Sequence, residues 1–175
     1  STDEVYGDKM ESCQDEQTIF CPTNPYAATK AGAELRVQSY YHSFKFPVII
    51  TRGNNVYGPN QYPEKVIPRF IERLKTNQKI QIEGDGMQTR GFLHVLDVCK
   101  AFEIILEKRE IGEVYNIGTK REYTILDLAR ERCHLFWKDD TYIEFIKDRP
   151  YNDKRYNISN QKLKDLGWDY EISLS

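Results

Sequence analysis

The apolar positions of the chain alternate between helical spacing and short strand-like runs. Pro25 stands ahead of AATKAGAELRVQSYYHSF, a stretch rich in alanine and other helix formers, which predicts a helix over about residues 25–44. The β-branched run PVIITRGN, residues 47–54, predicts a buried strand. Pro59 and Pro63 then mark a loop before an amphipathic helix over about residues 65–76. KIQI leads into the turn GDG, and the short strand RGFLHV follows. VLDVCKAFEIILEK has helical periodicity and VYNIG reads as a strand. Thr124 is placed to cap the helix ILDLARERCHLF, and YIEFI gives another strand. In SNQKLKDLGW, Ser159 is the expected N-cap and Gly167 the expected helix stop. Residues 8–22 are polar and irregular and predict a loop. Single apolar strands alternating with helices predict an α/β fold with a mostly parallel sheet.

Composition narrows the class. The chain has 175 residues, with 39% hydrophobic and 30% charged side chains, so it can bury a core and is neither disordered nor membranous. No run of about 18 apolar residues is available for a bilayer span, and the first residues lack the apolar stretch of a signal peptide. With 25 basic and 27 acidic side chains the net charge is −2, which gives no electrostatic argument for nucleic acid as a partner. The cysteines, Cys13, Cys21, Cys99 and Cys133, show neither CxxC pairing nor a histidine at metal-ligand spacing. This pattern indicates a reduced, cytoplasmic protein without a metal site. Cys99 and Cys133 fall among apolar neighbours, where a thiol serves as a small hydrophobe.

Two short stretches carry candidate chemistry. In YAATK, Tyr26 and Lys30 are four residues apart, hence on one helix face, and an ammonium near the phenol favours the phenolate. A tyrosine base at neutral pH needs a depression of roughly 3 pH units, about 4 kcal/mol. A single exposed lysine does not supply that, whereas a desolvated lysine with a bound cationic cofactor can. Taken alone, YxxxK is an ordinary surface pair. The opening STDE matches a capping box from Ser1 to Glu4, but Val-Tyr-Gly follows at once and suits a strand end turning into a loop. Adjacent carboxylates beside a hydroxyl at a parallel strand end stand where α/β sheets bind ligands. No Gly-rich phosphate turn is present: in GDGMQTRG, Gly84 and Gly86 would need a third glycine at 89, which is Thr89. The chain is therefore expected to lack the first half of a larger domain.

TDEVYG, NPYAATKAGAE, TRGNNVYGPNQYPEKVIP, YNIGT and DRPYNDKRY, in that order, resemble the nucleotide-sugar 4,6-dehydratases of the extended short-chain dehydrogenase/reductase family. The resemblance runs from residue 1 to about 168 and implies a doubly wound, Rossmann-like parallel sheet with a small C-terminal α/β substrate lobe. Residues 1–60 would belong mainly to the NAD-binding domain, and 61–175 mainly to the sugar-nucleotide lobe, interleaved with it. The dinucleotide fingerprint would lie upstream.

The implied activity is NAD-dependent dehydration of UDP-glucose or dTDP-glucose to the 4-keto-6-deoxy sugar. By resemblance, Tyr26 is the base at the 4-hydroxyl, and Lys30 lowers its pKa and holds the nicotinamide ribose. Glu4 is the base at carbon 5, Asp3 the acid for the departing 6-hydroxyl, and Thr2 a hydrogen-bond partner near the 4-hydroxyl. Val56 is implied as a cofactor contact. Asn55, Lys65, Val66, Arg90, Asn116, Asp148, Arg149 and Asn152 are implied as substrate contacts, Arg90 and Arg149 gripping the diphosphate. Glu83 departs from the family pattern. His42, His94 and His134 have no implied role, and His94 is expected to satisfy a buried hydrogen bond at a strand end. Family members pair through the helix bearing the tyrosine, so a homodimer is implied, with Val37, Tyr40, Tyr41 and Phe44 as apolar candidates. Two rivals stand beside this reading. A nucleotide-sugar 4-epimerase would use the same tyrosine and lysine but has no need of the two carboxylates. A non-catalytic remnant would only bind or dimerise.

Overall fold

A computed structural model describes residues 1–8 and 12–174 of the chain. Residues 9–11 of the loop expected over 8–22 lie outside the described residues. The first residues run beside a strand: the N-terminal ammonium donates to the Thr51 carbonyl at 2.7 Å, and Thr2 forms a parallel bridge with Gly53. A short 3-10 helix, Asp3–Tyr6, follows, and its cap is Thr2, whose hydroxyl accepts from the Glu4 N–H at 3.4 Å. The cap thus falls one residue later than the Ser1-to-Glu4 box. Gly7 ends this turn at φ +76, where a β-carbon would run into the Cys21 carbonyl oxygen.

Helix α1, Pro25–Phe44, begins and ends as the sequence predicts. Asn24 caps it, accepting from the Ala27 N–H at 2.8 Å, and Pro25 takes the first position, where no N–H is missed. Ala27, Ala31 and Glu34 form its buried stripe. The strand expected over 47–54 is shorter, and a second strand that was not expected follows it directly. β1, Ile50–Gly53, pairs in parallel with a later strand, and β2, Asn55–Tyr57, belongs to a different sheet. The chain changes sheets at Asn54, which periodicity cannot show because the partners lie far along the sequence.

The remaining elements are α2 (Val66–Lys75), β3 (Ile80–Glu83), β4 (Thr89–His94), α3 (Val95–Lys108), β5 (Val114–Ile117), β6 (Glu122–Thr124), α4 (Ile125–Leu135), β7 (Ile143–Ile146) and α5 (Gln161–Asp165). β1 pairs with β5, β2 with β4, and β3 with β7, all in parallel, and β6 adds an antiparallel edge to β4. His94 ends β4 and caps α3, its Nδ1 accepting from the Leu96 N–H at 3.3 Å. Thr124 caps α4 as expected. For α5 the expected cap moves: Asn160 holds that position without a capping bond from its side chain, whose amide donates to the Gly118 carbonyl at 3.0 Å. Ser159 instead accepts from the Gln161 N–H at 3.3 Å.

Three apolar clusters hold these pieces together. Ile67, Phe70, Leu74, Ile80, Ile82 and Leu128 fill one between α2, β3 and α4. Leu93, Ile105, Tyr115, Leu163 and Trp168 fill a second around α3 and β5. Val5, Tyr6, Ala31 and Ile158 form a small third beneath α1. Cys133 is buried in the first cluster, whereas Cys99 is exposed on α3 and is not the core thiol its neighbours suggest.

One polar network joins the parts near the N-terminus. Arg52 on β1 is 2% exposed and donates to the Glu34 carboxylate from Nε and Nη2, the latter at 2.7 Å. Its Nη1 donates to the Tyr6 hydroxyl at 2.6 Å, and the guanidinium lies over the Tyr6 and Phe20 rings. Removing one partner would strand a buried charge. Glu34→Gln is expected to cost about 3–5 kcal/mol in urea unfolding; a loss below about 1 kcal/mol would show that the pair is not holding α1 to the sheet.

Candidate active site

A cleft of about 720 Å³ opens between the N-terminal 3-10 helix, the start of α1, α2 and the loop after β7. That volume lies in the range that accommodates a cofactor- or drug-sized ligand. Asp3, Glu4, Tyr26, Asn55, Val56, Lys65, Val66, Arg90, Arg149 and Asn152 all line it, and a smaller pocket that contains Thr2 adjoins it through Asp3, Glu4, Tyr26, Asn55 and Lys65. The opening of the chain and the YAATK helix therefore converge on one space.

The two adjacent carboxylates meet different surroundings. Asp3 is buried; its Oδ1 accepts from the Thr2 hydroxyl at 3.0 Å and its Oδ2 from the Asn54 amide at 2.6 Å. Burial pushes its pKa up to about 6 although both donors oppose the rise, and the neighbouring Glu4 charge adds to it. Glu4 is half-buried, and its Oε2 accepts from the Asn24 amide at 3.0 Å and the Tyr156 hydroxyl at 3.4 Å. One carboxyl is thereby biased toward holding a proton, and the other stands more open.

Tyr26 is 51% exposed at the cleft, and it shares the adjoining pocket with Thr2, whose hydroxyl donates to Asp3. Lys30 lies on the same helix face, its Nζ 5.8 Å from the centre of the Tyr26 ring. The lowering of the phenol's pKa expected from Lys30 is not found in this chain by itself. Burial, then the charges of Glu4 and Asp3, push Tyr26 up. A phenolate here needs a further positive charge.

Two expected substrate contacts do not reach the cleft. Asn116 is fully buried on β5, its Oδ1 accepting from the Tyr6 hydroxyl at 2.9 Å and its amide donating to the Gln14 carbonyl at 3.3 Å. It is spent on the Arg52 network, opposite which its register places it. Asp148 is turned toward Gly84, where a β-carbon would stand 2.7 Å from its Oδ2, and its Oδ1 accepts from the Arg149 N–H and the Asn152 amide. It shapes the loop. Arg90 lines the cleft, but its Nη atoms donate to the carbonyls of Thr89, Asp153 and Lys154 while it lies over the Tyr156 ring. Arg149 is paired at 3.0 Å with Glu83, the carboxylate that departs from the family pattern.

Sequence reasoning missed Asn24, Asn54, Asp153 and Tyr156. Burial pushes Asp153 up, but hydrogen bonds from Thr23, Tyr156, Asn24 and Tyr151 outweigh it and hold the carboxyl below its usual range. The same contact with Asp153 adds to burial in pushing Tyr156 well above an ordinary phenol. Asn24, directly before the Pro25 that opens α1, carried a readable signal as a cap; the other three depend on tertiary contacts.

Two adjacent carboxylates and a tyrosine line one cleft of a Rossmann-like, parallel-sheet α/β fold, with Lys30 beside the tyrosine ring but outside the cleft lining. The chain belongs to the GDP-mannose 4,6 dehydratase family, whose pattern it matches over residues 1–175. It is 54% identical over 172 residues to the trifunctional UDP-glucose 4,6-dehydratase/UDP-4-keto-6-deoxy-D-glucose 3,5-epimerase/UDP-4-keto-L-rhamnose-reductase of Arabidopsis thaliana, covering 96% of this chain and 26% of that protein. The crystal structure of dTDP-glucose 4,6-dehydratase from Bacillus anthracis in complex with NAD superposes with a TM-score of 0.94 at 38% identity, over 99% of this chain and 56% of that one. UDP-glucuronic acid 4-epimerase from Bacillus cereus, solved with UDP-glucuronic acid and NAD, gives a TM-score of 0.93 at 33% identity, over 99% of this chain and 56% of that one. The chain spans about half the length, or less, of the curated relatives it matches. No described helix is long and apolar enough to cross a membrane.

The buried Asp3 gives a sign-definite pH effect on stability. Its folded pKa lies above the unfolded value of 3.8, so its stabilising contribution is full below about pH 4 and is lost as pH rises through 6. Asp3→Asn is expected to stabilise the chain at pH 7 by up to about 3 kcal/mol. In urea unfolding the gain should shrink steadily between pH 6 and 4; a pH-independent difference would count against the raised carboxyl.

Proposed function

We propose that this chain carries the catalytic carboxylates and the sugar-nucleotide side of an NAD-dependent 4,6-dehydratase acting on UDP-glucose or dTDP-glucose. The observation that carries the reading is the division of labour between Asp3 and Glu4 beside Tyr26, since an elimination needs one carboxyl protonated and its neighbour ionised. The epimerase of the same fold has no use for that division.

The reaction follows from the residues. Tyr26 takes the proton of the 4-hydroxyl, with Thr2 beside it. The chemistry NAD supplies when bound is reversible hydride exchange, first at carbon 4 and then at carbon 6. Glu4 removes the proton made acidic at carbon 5 by the new 4-keto group, and a carbon 5–carbon 6 double bond forms. Asp3 gives its proton to the 6-oxygen as the carbon–oxygen bond breaks, and water leaves. Glu4 then returns its proton to carbon 5, and the proton held by Tyr26 replaces, through solvent, the one that Asp3 gave up. Tyr26 and Lys30, with Val56, would hold the cofactor. The phenol, pushed up by burial and then by two carboxylates and lacking a sufficient cation, fits a positively charged ring beside it.

Asn55, Lys65, Val66 and Asn152 are assigned to the sugar-nucleotide, and Arg149 to the diphosphate, which would compete with Glu83 for the guanidinium. Arg90 supports that end through its charge and through the loop it holds. Residues 1–60 are assigned mainly to the cofactor side and 61–175 mainly to the sugar-nucleotide lobe. A cytoplasmic homodimer is part of the reading. Val37, Tyr40 and Phe44 are exposed on α1, whereas Tyr41 is turned inward against Gly112. Phe44→Glu is expected to shift sedimentation from dimer to monomer; a wild-type monomer would remove the dimer from the proposal.

The activity is tested with the chain alone and joined to the portion of the Bacillus anthracis enzyme that it does not cover. Mass spectrometry of products from UDP-glucose and dTDP-glucose should show loss of one water. Glu4→Gln should accumulate reduced cofactor without dehydrated sugar, product formation falling by about 100-fold or more. Normal turnover by that variant would reject the assignment.

A further inference from the structure

Asn54 sits where the chain leaves the β1–β5 pair for the β2–β4 pair. Its backbone N–H still donates to the Ile117 carbonyl at 3.1 Å, while its side chain is buried between the sheets. The two ends of the amide have distinct partners. Oδ1 accepts from the Thr119 N–H at 2.9 Å, and a backbone N–H can only donate, so this contact identifies the oxygen. The other end, Nδ2, is also donor-only, and it faces Asp3 Oδ2 at 2.6 Å. Gly91 closes the space on the third side: a β-carbon there would stand 3.0 Å from Asn54 Oδ1, so the amide is held tightly as it lies. On the far side of Asp3, Oδ1 meets the Thr2 hydroxyl at 3.0 Å, a group that accepts as readily as it donates.

A proton on Asp3 Oδ2 would point hydrogen at hydrogen. On Oδ1 it meets an oxygen. We propose that Asn54 is a positioning residue that confines the Asp3 proton to Oδ1, the oxygen beside the Thr2 hydroxyl, where the departing hydroxyl would collect it. The inference rests on Asp3 acting as the acid of the proposed elimination. Asn24 presents Glu4 with the same device: its Oδ1 accepts from the Ala27 N–H at 2.8 Å and its amide donates to Glu4 Oε2 at 3.0 Å. Each carboxyl thus meets an anchored amide, that of Asn24 being shared with Asp153 Oδ2 at 3.0 Å. The arrangement matters most for Asp3, which burial brings to about 6, so that near neutral pH its proton is present part of the time and readily given up.

The test begins with the unaltered chain. Carbon-detected NMR of the Asp3 carboxyl and nitrogen-detected NMR of the Asn54 side-chain amide, followed over about pH 4 to 8, should report one shared midpoint. Asn54→Asp keeps an acceptor for Thr119 but replaces the donor with a second acceptor. The proton should then be shared between the two carboxyls, the Asp3 midpoint rising by about one pH unit or more. In the form joined to the rest of a relative, elimination should fall by about 100-fold while oxidation at carbon 4 persists. Asn54→Leu removes the donor without adding a charge and should also raise the midpoint. An Asn54 amide that ignores the Asp3 titration overturns the inference, as does an Asn54→Asp protein with unchanged midpoint and an unchanged ratio of elimination to oxidation. Absence of dehydrated sugar from the unaltered joined protein would reject the proposed function instead, and the unaltered chain's NMR titration decides the Asn54 contact either way.

Discussion

Everything at the cleft depends on the buried guanidinium of Arg52. A charge at that depth requires partners, and its partners come from the two elements that bear the reactive groups. Glu34 belongs to α1, on the stripe that carries Tyr26 and Lys30 at successive four-residue steps. Tyr6 closes the 3-10 helix that begins with Asp3. The energy of such a pair is largely cancelled by the desolvation of both charges, so its main effect is geometric. It sets the rotation of α1 and the position of the 3-10 turn against the same strand. Two segments separated by a long polar loop are thereby brought into one register.

Within that frame, neighbouring acids acquire opposite characters from backbone geometry alone. Successive residues in a 3-10 helix point about 120° apart. Asp3 therefore turns into the sheet toward Asn54, and Glu4 turns outward toward Asn24 and Tyr156. A β-strand in place of the turn would also separate them, but onto opposite faces of the sheet. The tight turn, closed by Gly7, keeps both at one cleft with unequal burial.

The elements were legible wherever local chemistry decides them. Pro25 and the alanines announce α1, Thr124 announces α4, and TDE with YAATK announced the residues that converge. What escaped is whatever long-range pairing decides. Arg52 sits in an apolar strand run, and nothing local shows that it is buried or that it draws Tyr6 and Asn116 into its network. Asn116 was implied as a substrate contact by the resemblance of YNIG, yet its register opposite Arg52 consigns it to the interior. The break at Asn54 exists only because β1 and β2 have partners more than thirty residues away. Asp148 was read as a ligand contact from its motif, whereas the close approach of Gly84 decides where its carboxylate sits.

The two halves of the proposed reaction make conflicting electrostatic demands on this site. Elimination needs both carboxyls near the sugar, yet beyond the effect of burial their charges push the Tyr26 phenol further up, away from the base that oxidation requires. Burial of Asp3 moderates the conflict. While Asp3 holds its proton it is neutral, and one of the two charges opposing the phenolate is absent. Oxidation is thus favoured in the same protonation state that elimination consumes one step later. When Asp3 surrenders its proton, Tyr26 already holds the one taken from the 4-hydroxyl, so the new carboxylate charge meets a neutral phenol. Burial of a single carboxyl would in this way order the steps as well as supply the acid.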